Sequence, residues 1–290
     1  MTSEAVPTAS TKPAATLSAV STVASADLLN TEEPEVNLPL VLPDPAEAVI
    51  LSFVEAQARL ARTKRDAVRE AGAIAPLVAL LSSGSTSIQG LVAAVLKDVA
   101  TDNPANREAI LKFGGLERLV EMASGDVSIV GTGEAAGALR ALSSNFMLGC
   151  SAIVKADGIK TLIDMVGKGR DMTQAPIYAT GALANLAQAS EQNCEAILHH
   201  GGVQNLVRLL QRGETSNDMP TRRVAPEMKL WLEKAGEEAA NALWELSDKG
   251  SSSNTAICNA SVIQTLVNAL VHSGLKSATA NYSVSGVYMR

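Results

Sequence analysis

The sequence is poor in the residues that most protein chemistry uses. Aromatic side chains make up 3% of its 290 residues, with three Cys and three His. Sheets favour aromatic and β-branched side chains, whereas this chain carries Ala in almost every block of ten, so an all-β fold is excluded. An odd, sparse set of cysteines cannot form a disulfide framework, and a reducing compartment is expected. His199 and His200 are neighbours, about 100° apart on a helix, and His272 stands alone. A zinc site or a Cys–His nucleophile pair therefore lacks its parts. There is no G-x-S-x-G, Walker A or H-E-x-x-H string, and the expectation is a protein without enzymatic activity, metal or cofactor. The formal charge of −6 argues against a nucleic-acid binder. No apolar run approaches the ~18 residues that membrane insertion needs.

What charge there is lies at one end. Residues 1–47 hold Glu4, Asp27, Glu32, Glu33, Glu35, Asp44 and Glu47 against Lys12 alone, which accounts for the entire net charge. The same stretch has six of the eleven prolines, and Ser, Thr and Ala fill 17 of its first 30 positions. Such a segment buries too little apolar area to offset the entropy of ordering it, so 1–45 reads as a disordered acidic tail. It lacks the basic start and apolar run of a secretory signal and the arginines of a transit peptide. The expected compartment is the cytosol, with access to the nucleus.

The remainder repeats itself. GAIAPLVALL (72–81), GGLERLVEMA (114–123), DGIKTLIDMV (157–166), GGVQNLVRLL (201–210) and SVIQTLVNAL (261–270) share one pattern. Their anchors Leu77, Leu119, Leu162, Leu206 and Leu266 are spaced by 42, 43, 44 and 60 residues. Nine residues before each comes an aliphatic: Val68, Ile110, Ile153, Ile197 and Ile257. A second, Ala-rich pattern follows the first four, with Leu96, Leu139, Leu183 and Leu243 spaced by 43, 44 and 60. Two patterns that shift in step, the long interval included, mark a true repeat. Each unit predicts a short helix, a Gly break, a second helix and a longer third helix with a buried stripe. Asn106 and Asn193 stand where they are expected to cap the first helix. Gly114–Gly115 and Gly201–Gly202 allow the bend into the second. Because no unit buries its faces alone, the units must stack into a superhelix.

A 42–44-residue period of G-x-I-x-x-L-V-x-L-L followed by A-x-x-A-L-x-N-L resembles the armadillo repeat, over about residues 46–275. The best matches are YATGALANLA (178–187) and NCEAILHHGGVQNLVRLL (193–210). The expected organisation is a cap helix at 46–63 and repeats at about 64–105, 106–148, 149–192 and 193–252, with a partial repeat at 253–290. What the resemblance implies is an all-α solenoid whose third helices line a concave groove for an extended peptide or a partner protein. In nuclear-import adaptors of the importin-α type, that groove carries a Trp and, four residues on, an Asn in unit after unit. Here the Trp register holds Ala94, Gly137, Gly181 and Asn241, and the Asn register holds Asp98, Ala141, Asn185 and Glu245. Only Asn185 agrees.

Gly131, Gly133 and Ala136 spell G-x-G-x-x-A, which could begin a dinucleotide site. The segment falls in the register of the other third helices, so it reads as helix. Cys150 and Cys194 share a repeat position and, with Cys258 beside Ile257, read as buried small apolar residues.

Groove candidates are an uneven set: Lys97, Asp98, Arg140, Tyr178, Asn185, Trp244 and Glu245. Large aromatic and Arg side chains are typical interface anchors, and Trp244 has no large apolar counterpart in the other repeats. The long interval places an insertion at 212–234 between the second and third helices of the fourth repeat, with Arg222, Arg223 and Trp231 as candidate contacts. An irregular first half is expected there, with a third helix extended backwards from 226.

The functional expectation is a non-catalytic adaptor or scaffold holding a protein or peptide in the groove. Two further roles fit the architecture: substrate recognition within a ubiquitin-ligase assembly, which would need a second chain to bring the catalytic domain, and nuclear transport, which the missing ladder opposes. The last 16 residues, LKSATANYSVSGVYMR, lack the Ala–Leu stripe of a third helix. An uncovered end of that kind would promote self-association.

Overall fold

The computed structural model describes residues 45–125, 129–168, 174–218 and 226–249. The chain divides into two units, Met1–Leu42 and Pro43–Arg290; the described residues all belong to the second. The acidic tail, the partial repeat 253–290 with Cys258 and His272, and Arg222 and Arg223 lie outside the described residues.

Thirteen helices and no strand occur among the described residues. A leading helix, α1 (Pro45–Thr63), is followed by four triplets: α2 (Arg65–Glu70), α3 (Ile74–Leu80) and α4 (Thr86–Ala100); α5 (Pro104–Lys112), α6 (Gly115–Ser124) and α7 (Ile129–Ser143); α8 (Met147–Lys155), α9 (Gly158–Lys168) and α10 (Gln174–Ala189); α11 (Glu191–His199), α12 (Gly202–Asp218) and α13 (Pro226–Lys249). The third helices pack in a row, α1 on α4, α4 on α7, α7 on α10 and α10 on α13. The periodic aliphatics make the core. Val68, Ile110, Ile153 and Ile197, and the eight leucine anchors of the first four repeats, are at most 1% exposed.

Turns between first and second helices follow from backbone sterics. Gly72, Gly114 and Gly201 have φ of 68°, 73° and 75°, the left-handed region that costs a side chain free energy. The third repeat places Asp157 there instead, at φ 57°. Relief of that strain outweighs the extra chain entropy of glycine. Asp157→Gly should therefore raise stability by about 0.5–1 kcal/mol in urea unfolding; an unchanged or lower midpoint would contradict this.

The first helices dock differently from the sequence expectation. Asn103 and Ser190, not Asn106 and Asn193, cap α5 and α11, accepting from the N–H of Asn106 at 3.1 Å and of Asn193 at 3.2 Å. Asn106 and Asn193 sit one turn inside, where helical side chains point back toward the N-terminus. From there Asn106 Nδ2 donates to Val99 O at 3.0 Å and Asn193 Nδ2 to Leu186 O at 2.9 Å. Each thus caps the end of the preceding third helix, whose last carbonyls have no partner of their own. The next residue repeats the device. Arg107 Nε donates to Ala100 O at 2.8 Å, and the thiols of Cys150 and Cys194 donate to Ser143 O and Ala187 O, both at 3.3 Å.

Both thiols are buried, and burial pushes Cys150 up to about 11. The folded state then holds its proton at a pH where the unfolded state has released it. This contribution is complete below the ordinary thiol value of 9.0 and is lost as pH rises toward 11. The loss should reach roughly 2–3 kcal/mol. Urea midpoints should therefore fall between pH 9 and 11 by more in the native chain than in Cys150→Ser; equal slopes would refute the assignment.

The insertion is largely helical. The second helices α3, α6 and α9 have 7, 10 and 11 residues, whereas α12 has 17. Among the third helices, α4, α7 and α10 have 15, 15 and 16, and α13 has 24. Residues 212–218, expected in an irregular loop, instead continue α12. The backward extension from 226 is present, and Trp231 lies within it. The G-x-G-x-x-A segment is part of α7: Gly131 and Gly133 are buried helical positions, and Gly131 Cα would lie 3.5 Å from a Cβ on Gly90. These glycines let third helices approach closely.

Candidate functional site: the third-helix stripe

The candidate groove residues fall on α4, α7, α10 and α13, in three registers of the row: Lys97, Arg140 and Trp244; Asp98, Asn185 and Glu245; and Tyr178. On such a face the apolar stripe is used inward, so what remains outward is polar or aromatic. Lys97 extends from α4 and donates to Glu134 Oε2 on α7 at 2.6 Å. Its ammonium also lies 5.5 Å from the centre of the Tyr178 ring on α10, within cation–π range. Burial disfavours the charge, but the attraction of Glu134, helped by Tyr178 and Asp98, prevails and raises the Lys97 pKa above its ordinary value. The side chain therefore stays cationic throughout the physiological range.

One repeat on, Arg140 of α7 makes the corresponding reach. It crosses Gly181 of α10 and donates to Glu238 Oε1 of α13 at 2.7 Å. Each cation lies along a glycine of the following helix. A Cβ added to Gly137 would come within 2.7 Å of Lys97 Cδ, and one added to Gly181 within 2.5 Å of Arg140 Nε. The register that holds Trp in import adaptors is thus filled here by the stem of the preceding repeat's cation.

Asn185 turns inward. Its amide donates to Arg140 O at 3.2 Å and to Ser143 Oγ at 3.0 Å, tying α10 to the end of α7. Both of its N–H groups have partners in the scaffold. Trp244 is partly buried and packs against the core, while Glu245 is buried beside it. Asp98 contributes its backbone carbonyl to Arg65 Nε at 3.0 Å. The structure therefore joins Lys97 to Tyr178 and Arg140 to Asn185, and leaves Trp244–Glu245 one helix further along.

Two site residues escape the sequence reading, Glu134 and Glu238. The signal was available: Glu134, Tyr178 and Glu238 are 44 and 60 residues apart, the intervals of the repeat itself. They form a row three residues before Gly137, Gly181 and Asn241. Among the described residues no group of three or more His, Cys, Asp or Glu is placed to hold a metal ion. No described helix is long and apolar enough to cross a membrane.

A row of triplet units with a shared third-helix face defines a helical-repeat solenoid. Residues 64–97 match the family model of the Armadillo/beta-catenin-like repeat, and the fold is that of an armadillo solenoid, as in solved structural neighbours. An engineered protein superposes with a TM-score of 0.70 at 24% identity, over 86% of this chain and 92% of that one. A designed armadillo repeat protein, solved with the peptide (KR)4, gives a TM-score of 0.69 at 18% identity over 85% and 95% of the two chains. The armadillo repeats only protein from Plasmodium falciparum gives 0.60 at 17% identity over 78% and 95%. Comparison with curated protein sequences finds no match.

Proposed function

We propose that this chain is a non-catalytic adaptor or scaffold that holds an extended segment of a partner protein along α4, α7, α10 and α13. The observation that carries this reading is the third-helix stripe itself. Four helices present a stripe of charged, amide and aromatic side chains, while the periodic aliphatics of the first four repeats are turned inward. Trp244 is the anchor, a large side chain on a helix face with part of its surface open. Lys97, Arg140 and Tyr178 line the path toward it, and Asp98 and Glu245 set its charge. Designed armadillo neighbours support the reading, since one was solved with a bound peptide and another was made for modular peptide recognition. Panning a random peptide library with the full chain should yield binders that compete with one another for a single site. Enrichment of no peptide, or of several non-competing groups, would count against one groove.

A further inference from the structure

Both cations of the stripe reach past the next third helix to the one after it. Lys97 leaves α4, pairs with Glu134 as it crosses α7 at Gly137, and brings its ammonium to the Tyr178 ring of α10. Arg140 leaves α7, crosses α10 at Gly181 and meets Glu238 of α13 at 2.7 Å. The parts recur with the repeat: the two cations are 43 residues apart, the two glycines 44, and Tyr178 and Glu238 60. In the third unit the cation register holds Ala184, and the series stops.

The length of the second contact shows how the row is bent. α10 packs between α7 and α13, and the axes of packed helices stand 8–10 Å apart. In a flat row, Cα atoms on the same face of α7 and α13 would therefore be ~16–20 Å apart. Six bonds carry Arg140 from its Cα to a terminal nitrogen, and four carry Glu238 to a carboxylate oxygen. Fully stretched and joined by a 2.7 Å hydrogen bond, the two side chains span about 15 Å. The pair closes because the row bends toward the stripe, and it lies on the inside of that bend. A contact so placed is lost as the row straightens.

We propose that Lys97 and Arg140 are overlapping straps that hold the third-helix row at a fixed curvature. Packing between neighbouring helices tolerates small rotations, and along a stack in which each unit touches only its neighbours these add up. A tether from one unit to the next but one removes that freedom. Glycine at the crossing point lets the tether lie close to the crossed helix, since a Cβ on Gly181 would come within 2.5 Å of Arg140 Nε. The Arg140 and Glu238 side chains keep 35% and 16% of their surface open, so salt weakens the strap. The device sets the shape of the face and does not depend on what the face binds.

The test measures a distance within the full chain by pulsed electron paramagnetic resonance. Spin labels replace Glu55 of α1 and Glu195 of α11, both exposed, through a noncanonical amino acid that leaves the native cysteines untouched. Lys97→Met/Arg140→Met should lengthen the mean distance by on the order of 5 Å and broaden its distribution, as a bent row relaxes toward flat spacing. Glu238→Ala, which cuts the second strap from its other end, should reproduce the shift of Arg140→Met alone. Raising salt to about 1 M should lengthen the distance in the native chain and leave the double variant unmoved. An unchanged or shorter distance in the double variant overturns the proposal, as does an equal salt response in the two proteins or a Glu238→Ala distance that stays native. Helical circular dichroism is followed throughout. If the double variant loses helicity, Arg140→Met, Glu238→Ala and the salt titration of the native chain carry the same test.

Discussion

Leu139→Ala should lower the unfolding free energy by about 3–4 kcal/mol. Leu139 is fully buried in α7, the third helix that packs against α4, α6 and α10. Its neighbours along the helix, Ala135, Ala136 and Ala138, are also fully buried. These short side chains cannot extend into the space that Leu139 would vacate. The void then persists, and its cost adds to the lost transfer free energy. Coupling between neighbouring units spreads the damage, because each repeat is stable only on its neighbours. Val154→Ala, at an exposed position of α8, should change stability by no more than about 0.5 kcal/mol. Urea midpoints of the two variants check this; a loss below about 1 kcal/mol for Leu139→Ala would show that the row of third helices can collapse around the void.

Trp244→Ala should weaken the binding of any groove peptide by about ten- to a hundredfold. Trp244 follows Lys97, Arg140 and Ala184 in register, at the α13 end of the stripe, and offers the largest apolar contact area there. Since it also packs against the core, a stability loss of about 1 kcal/mol is expected alongside. The two effects separate at temperatures well below the melting transition, where the variant remains folded and still fails to bind. Trp244→Tyr should recover much of the affinity, because a second amphipathic ring can occupy the same contact. Calorimetric titration with a peptide from library selection measures both. Retained affinity in Trp244→Ala would make Trp244 a packing residue only.

Much of the fold is legible in the sequence because a solenoid writes its core as a period. The twelve periodic aliphatics of the first four repeats show what must be inside, and the Gly pairs show where the chain bends. The side-chain roles of Asn106 and Asn193 are less legible. Capping the helix they belong to and capping the one before it require the same residue types, and only the packing of one triplet on the next decides between them. The groove was visible as a set of candidates but not as a set of pairs. Lys97 reaches its acid in the next unit and Arg140 in the next but one, a difference set by the stagger and length of the helices rather than by sequence spacing. Glu134 and Glu238 are consequently not legible as site residues from spacing to their cations, although Tyr178 shares their register. In the insertion, Pro226 marks the start of α13 well, as proline does at the first helical position. The helical continuation through RGETSND (212–218) was masked by its Gly, Ser and Asn content.

The central claim is that the third-helix row is the face that binds. Hydrogen–deuterium exchange of the full chain, with and without a saturating groove peptide, tests it most directly. Added protection in peptide fragments from α4, α7, α10 and α13, with α3, α6 and α9 unchanged, is the predicted result. Protection concentrated on α3, α6 and α9 would place the partner on the second-helix side, where Val78 and Ala79 of α3 and Phe113 before α6 line an open cleft, and would contradict the account.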